Sequence, residues 1–220
     1  MFDGSGGDGA RLLTVDISSS GLETGAAVLR HLRETDPEIG VRQVEIGVPR
    51  GAQALRAGQL DALFGNAVHV PEDITTELVR LEPVQVILRA DDPLAARDEV
   101  PAEALAEACW LLPSDRLAPE WTEQVVNMCQ QAGFRPHRYP GVTHGSAAAA
   151  ELALEGRCVV PTVSWTGLPP GLVARRLVDP GALFPWSMMW VEALRGEETT
   201  KLLEAARTMS RSNGWLKDAA

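Results

Sequence analysis

The chain has 220 residues, 45% of them hydrophobic and 23% charged, with a formal net charge of -10. That length suits one large domain or two small ones, with enough core to need no staples. The acidic balance excludes a nucleic-acid-binding surface, which needs clustered Lys and Arg; Arg175-Arg176 is only a pair.

In chain order, residues 1–10 are a Gly- and Asp-rich lead-in. Leu12 to Ile17 is a short apolar run with β-branched Thr14, Val15 and Ile17, which predicts a buried strand. Leu22, Gly25, Ala26, Leu29 and Leu32 then recur at helical spacing. Ser18, Ser19, Ser20 and Gly21 lie between strand and helix. Serines there suit two roles: capping the first helical turn, or holding an anion at the helix N-terminus. Val41 to Val48 alternates as a strand, Pro49 to Ala57 is a short helix, and Leu60 to Gly65 is the next strand. That order implies parallel strands with right-handed crossovers. Asn66 ends the third strand at its carboxyl edge, where open α/β sheets bind ligands.

Thr75 to Leu81 and Val84 to Arg89 are strand-like, with Glu82-Pro83 read as a separator. The α/β pattern then restarts. Pro101 to Ala108 predicts a helix, Trp110 to Leu112 a strand, and Pro119 to Ala132 a helix closed by Gly133. Arg135 to Thr143 carries a strand, and Ser146 begins an Ala-rich helix to Glu155. Cys158 to Val160 is a strand cut by Pro161. Leu172 to Val178 and Trp186 to Val191 are the last strands, and Glu197 to Ser212 is the final helix.

No nucleophile elbow, Walker loop, H-E-x-x-H or C-x-x-C motif occurs. His31, His69, His137 and His144 lack metal-ligand spacing, so neither a catalytic centre, a metal nor a cofactor is expected. Cys109, Cys129 and Cys158 each lie in an apolar segment, as small core residues do. An odd cysteine count, with no secretory leader after Met1, points to a reducing cytoplasm. No apolar run approaches the ~20 residues of a membrane span.

Specific residues now meet this order of elements. They are Thr35-Asp36-Pro37-Glu38, the run Ala54 to Leu63 (ALRAGQLDAL), Asp92-Pro93-Leu94-Ala95, and Leu152 to Pro161 (LALEGRCVVP). Together they resemble the effector-binding domain of LysR-type transcriptional regulators, over about Leu12 to Ser212. The resemblance implies a type 2 periplasmic-binding-protein-like α/β fold: two Rossmann-like subdomains joined by two crossing strands. Subdomain I would comprise 11–84 plus 186–214, and subdomain II 85–185. It implies a small-molecule inducer in the cleft, self-association as a dimer, and a tetramer when full-length. DNA would be read only through the family's N-terminal winged helix-turn-helix, which is absent from these 220 residues. Leu154 stands where the family often has Gly, and Asn66 where some aromatic-acid-responsive members carry Arg.

The carboxyl ends of the strands and this likeness together place the effector among Ser18, Ser19, Ser20, Val48, Asn66, Ser114, Thr143 and His144. His144 also suits a helix cap or a surface position. Two or three polar contacts supply about 5 kcal/mol, whereas micromolar affinity needs about 8.2. The remainder must come from apolar burial, so a small, partly apolar organic acid is the expected effector. A solute-binding protein of a transporter shares the fold and is the alternative; an enzyme on the same scaffold is the third reading.

Overall fold

The computed structural model describes residues 12–18, 22–113, 117–141 and 146–217. Two sheets carry the architecture. The first is built from β1 (Leu13–Asp16), β2 (Val41–Val44), β3 (Ala62–Gly65), β4 (Thr75–Pro83) and β11 (Leu183–Trp190). Its order is β2-β1-β3-β11-β4. β1 lies parallel to β2 and β3, and β11 runs antiparallel to both β3 and β4. Thus the strand begun after residue 182 returns to the sheet begun at residue 13.

The second sheet has the order β6-β10-β5-β9. It contains β5 (Gln85–Arg89), β6 (Glu99–Pro101), β9 (Val160–Thr162) and β10 (Leu172–Val178). A two-stranded parallel pair, β7 (Cys109–Trp110) with β8 (His137–Arg138), lies beside it. The chain passes between the sheets at Val84 and again at 179–182. There the Val84 N–H donates to the Ala182 carbonyl and the Leu177 N–H to the Val84 carbonyl, both at 2.9 Å.

The helices follow their apolar faces. α1 (Glu23–Thr35) buries Val28, Leu29 and Leu32 against Leu13, Val15 and Ile17 of the first sheet. It can approach so closely because residue 25 is Gly: a Cβ there would lie 2.6 Å from Ile17 Cβ. α5 (Glu197–Asn213) adds Leu202, Leu203 and Ala206 to the same core. α2 (Val48–Arg56) covers β3 through Leu55 and Leu63. α3 (Pro119–Gln131) packs Val125, Met128 and Cys129 on the second sheet, and α4 (Ser146–Leu154) packs Ala149, Ala150 and Ala153 there. Burial pushes the thiols of Cys129 and Cys158 up to about 11, so both are inert core groups. Among the described residues, no helix is long and apolar enough to cross a membrane.

Several sequence expectations change. Pro101 to Ala108 is not a helix: Ala102–Leu105 forms a single 3₁₀ turn after β6. Pro161 does not end its strand but sits inside β9, an edge position where a missing N–H costs no ladder bond. Glu82 and Pro83 are the end of β4, not a separator. Val48 opens α2 instead of closing β2.

Candidate functional site

The carboxyl end of β1 is organised by Asp16, which is fully buried. One of its oxygens accepts the Ser18 N–H at 2.8 Å. The other accepts the N–H groups of Ile46 (2.7 Å) and Gly47 (2.9 Å). Burial holds this carboxyl above its ordinary value, against the lowering by its three main-chain donors. A single side chain thereby ties the turn after β1 to the loop before α2. Ser18 takes φ 64, a left-handed conformation, and its hydroxyl donates to the Phe64 carbonyl at 2.9 Å.

Two features describe the start of α1. Its N-cap is Leu22, with no side-chain cap. Its first N–H, from Glu23, donates to the Ser164 carbonyl at 3.0 Å. Leu22 and Trp165 form an antiparallel bridge beside that bond. The segment following β9 thus closes on the start of α1.

A buried ionic cluster lies beneath this closure. Glu82 is 0% exposed and accepts from Thr24 Oγ1 (3.0 Å), the Ser164 N–H (2.9 Å) and Trp186 Nε1 (2.6 Å). Arg80 completes it at 3.1 Å and also reaches Glu23 at 3.2 Å. The Arg80 guanidinium stacks 4.9 Å from the centroid of Trp215. Every donor meets an oxygen, so the charge is affordable in the interior.

Above the cluster is a cavity of about 190 Å³ between the two sheets. Ser18, Gly47, Val48 and Gly65 line it from the first sheet's side. Leu111, Leu117 and Ala149 face them from the second, with Val160 and Thr162 of β9. Phe184 and Trp186 of β11, Trp121 of α3 and Trp165 supply aromatic walls. Phe184 stands edge-on to Trp121 at 5.3 Å and to Trp186 at 4.9 Å. The walls meet tightly at one edge. Gly47 has φ +83, and a Cβ there would lie 2.2 Å from the Leu117 carbonyl oxygen.

The polar part of the lining is sparse: Ser18, Ser146 and Thr162 bring hydroxyls, and the charged residues are acidic. Glu120, in the first turn of α3, is 9% exposed; its carboxylate accepts its own main-chain N–H. Burial raises its carboxyl above the ordinary value, more than that N–H and the distant His69 lower it. Glu45 is the second lining carboxylate. Among the described lining residues there is no Lys, Arg or His.

Of the residues expected from sequence, Ser18 and Val48 line the cavity together. Asn66 does not: its side-chain oxygen accepts the Val68 N–H at 3.0 Å, closing a local turn. Ser19, Ser20, Ser114, Thr143 and His144 lie outside the described residues. The aromatic walls and Glu120 escaped sequence reasoning. The available signal was a Trp in each of two distant segments, Trp121 and Trp186, without a helical or strand period to separate lining from core.

A family model described as the LysR substrate binding domain matches residues 6–211. The small neutral protease regulatory protein of Streptomyces lividans is 30% identical over 223 residues, 97% of this chain and 62% of that protein. The effector-binding domain of BenM, solved with its effector benzoate, matches with a TM-score of 0.78 at 22% identity, over 93% of this chain and 94% of that one. Full-length CbnR, solved in complex with its target DNA, matches with a TM-score of 0.80 at 15% identity, over 92% and 72%. At such identities the two structures speak to the fold alone. The chain spans between 45% and 62% of the length of the curated relatives it matches. Its two sheets linked by a double crossing are the type 2 periplasmic-binding-protein-like arrangement, and with the family model running over nearly its whole length the chain belongs to the LysR substrate-binding domain family.

Proposed function

We propose that this chain is the effector-binding module of a cytoplasmic transcription regulator, and that a small, largely apolar molecule in the cavity between the sheets is its signal. Subdomains with limits at 11–84 plus 186–214 and at 85–185 would move about the crossings at Val84 and 179–182. Ligand bound better by one relative placement shifts the population toward it, and a self-associated dimer or tetramer carries that shift to a DNA-reading domain elsewhere in the regulator.

The observation that carries this reading is the cavity itself, walled from both sheets by apolar and aromatic side chains. Its size is adequate for one ring or a short chain, since an engineered apolar cavity of about 150 Å³ takes up benzene. A saturating ligand, at about a hundredfold its dissociation constant, adds about 2.7 kcal/mol of stability. That corresponds to a rise in Tm of roughly 5–11 °C for a domain of this size. The test is a thermal-shift screen of small organic molecules against the chain and against Ala149→Phe, which fills the cavity from α4. Hits should lose their effect in the variant. Hits that stabilise both proteins equally would place the ligand elsewhere.

A further inference from the structure

Resting on the reading of the cavity as the effector site, we propose that its effector is a small apolar organic cation, an amine or quaternary ammonium compound, held by the aromatic walls with its charge against Glu120. Four aromatic side chains line the cavity: Trp121, Trp165, Phe184 and Trp186. Aromatic rings grouped around a small pocket are the usual protein surface for an ammonium ion, because ring faces carry negative charge density. Trp186 is a strong member of that group. Its indole N–H donates to the buried carboxylate of Glu82 at 2.6 Å, which pushes electron density into the ring.

Glu120 supplies the counter-charge. It lines the cavity, is 9% exposed, and among the described residues has no basic side chain in hydrogen-bond contact. A carboxylate so placed bears a desolvation cost that an incoming ammonium ion would relieve. Glu45 adds a second acidic group to the lining while engaged in an interaction of its own.

The same features work against an organic acid. An incoming carboxylate would meet Glu45 and Glu120 with no described cationic partner. Two of the helix N-termini near the cavity are already partly engaged. The first N–H of α1 is bonded to the Ser164 carbonyl, and the first turn of α3 already carries Glu120. On this reading the preferred effector is a cation where the sequence pointed to an acid.

The test compares three probes of matched shape by titration calorimetry on the 220-residue chain: 2-phenylethylammonium, 2-phenylethanol and 3-phenylpropanoate. The ammonium compound should bind at least about tenfold more tightly than the alcohol, and the propanoate most weakly. Glu120→Gln should remove about tenfold of the ammonium affinity and leave the alcohol within about twofold. Trp121→Leu, which keeps the carboxylate but removes a ring, should also weaken the ammonium compound more than the alcohol. A propanoate that binds more tightly than the ammonium compound, a Glu120→Gln variant with undiminished ammonium affinity, or no binding of the ammonium compound at millimolar concentration would overturn the proposal. Ala149→Phe separates this failure from that of the site. If the propanoate or the alcohol is preferred and Ala149→Phe abolishes its binding, the cavity is the effector site and only the cation is wrong. Binding that survives Ala149→Phe overturns both.

Discussion

Glu82 and Trp186, 104 residues apart in sequence, are joined at 2.6 Å by an indole N–H donated to a fully buried carboxylate. The bond crosses between β4 and β11, the two strands that lead into the crossings. It holds the cavity wall to the closure around Ser164. Removing Glu82 strands Thr24, the Ser164 N–H and Trp186 at once and leaves the Arg80 guanidinium only the half-exposed Glu23 as a carboxylate partner. Glu82→Ala should cost about 3–5 kcal/mol, as loss of one partner of a buried ion pair does. Trp186→Phe leaves the other three donors in place and should cost about 1–3 kcal/mol. Urea denaturation checks both, and a Glu82→Ala variant within about 1 kcal/mol of the parent would show that the cluster does not support the fold.

Asp16→Ala should destabilise the chain by about 1–3 kcal/mol or more, because three main-chain N–H groups lose their acceptor. Asp16→Asn should fall between, since its single oxygen can serve either Ser18 or the Ile46–Gly47 pair but not both. Amide hydrogen exchange should localise the effect, with faster exchange at Ser18, Ile46 and Gly47 in Asp16→Ala and at only one of the two turns in Asp16→Asn. Unchanged exchange at Ile46 and Gly47 would contradict the tie between the two turns.

Gly47→Ala brings two penalties together: a left-handed φ of +83 and a Cβ 2.2 Å from the Leu117 carbonyl. With ψ at 156 this backbone is open essentially to Gly alone, and it costs Ala about 1–3 kcal/mol. The contact with Leu117 must open, so the loop before α2 and the loop before α3 separate. Small-angle scattering should show a larger radius of gyration, and ligand affinity should fall even though position 47 adds only a methyl group. A variant with parental scattering and affinity would mean that the two loops do not set the closure.

The pH dependence of Glu120 has a definite sign. Its folded-state carboxyl lies above the ordinary value, chiefly through burial. The folded protein then holds this proton more tightly than the unfolded chain does. The resulting penalty is absent below the ordinary carboxylate value, grows as pH rises through the folded value, and is complete above it. Glu120→Gln removes the ionised form, so without ligand its Tm advantage over the parent should be greatest at neutral pH. That advantage should shrink as pH falls toward the carboxylate range. An advantage that grows on acidification would reverse the assignment.

Much of the fold was legible because its periods are plain. Leu22, Leu29 and Leu32 repeat at helical spacing, and the run from Leu12 to Ile17 can only be a buried strand beside them. The return of the last strand to the first sheet came from the family likeness, since no local pattern says which sheet a strand joins. The site was less legible. Ser18 and Val48 could be placed because strand ends mark ligand positions in α/β folds. Glu82 read as part of a turn because a charge followed by Pro marks turns, and only the fold brings Arg80, Thr24, Ser164 and Trp186 around it. The same holds for Phe184 and Trp165, whose neighbours come from distant segments.

The aromatic walls make the molecule its own optical reporter. Of its six tryptophans, Trp121, Trp165 and Trp186 line the cavity, whereas Trp110, Trp190 and Trp215 do not. Replacing those last three with Phe would confine the indole emission to the cavity. Occupancy could then be followed by the colour and intensity of intrinsic fluorescence in an unlabelled protein. In stopped flow, the same emission would separate the moment a ligand enters from any slower rearrangement that follows.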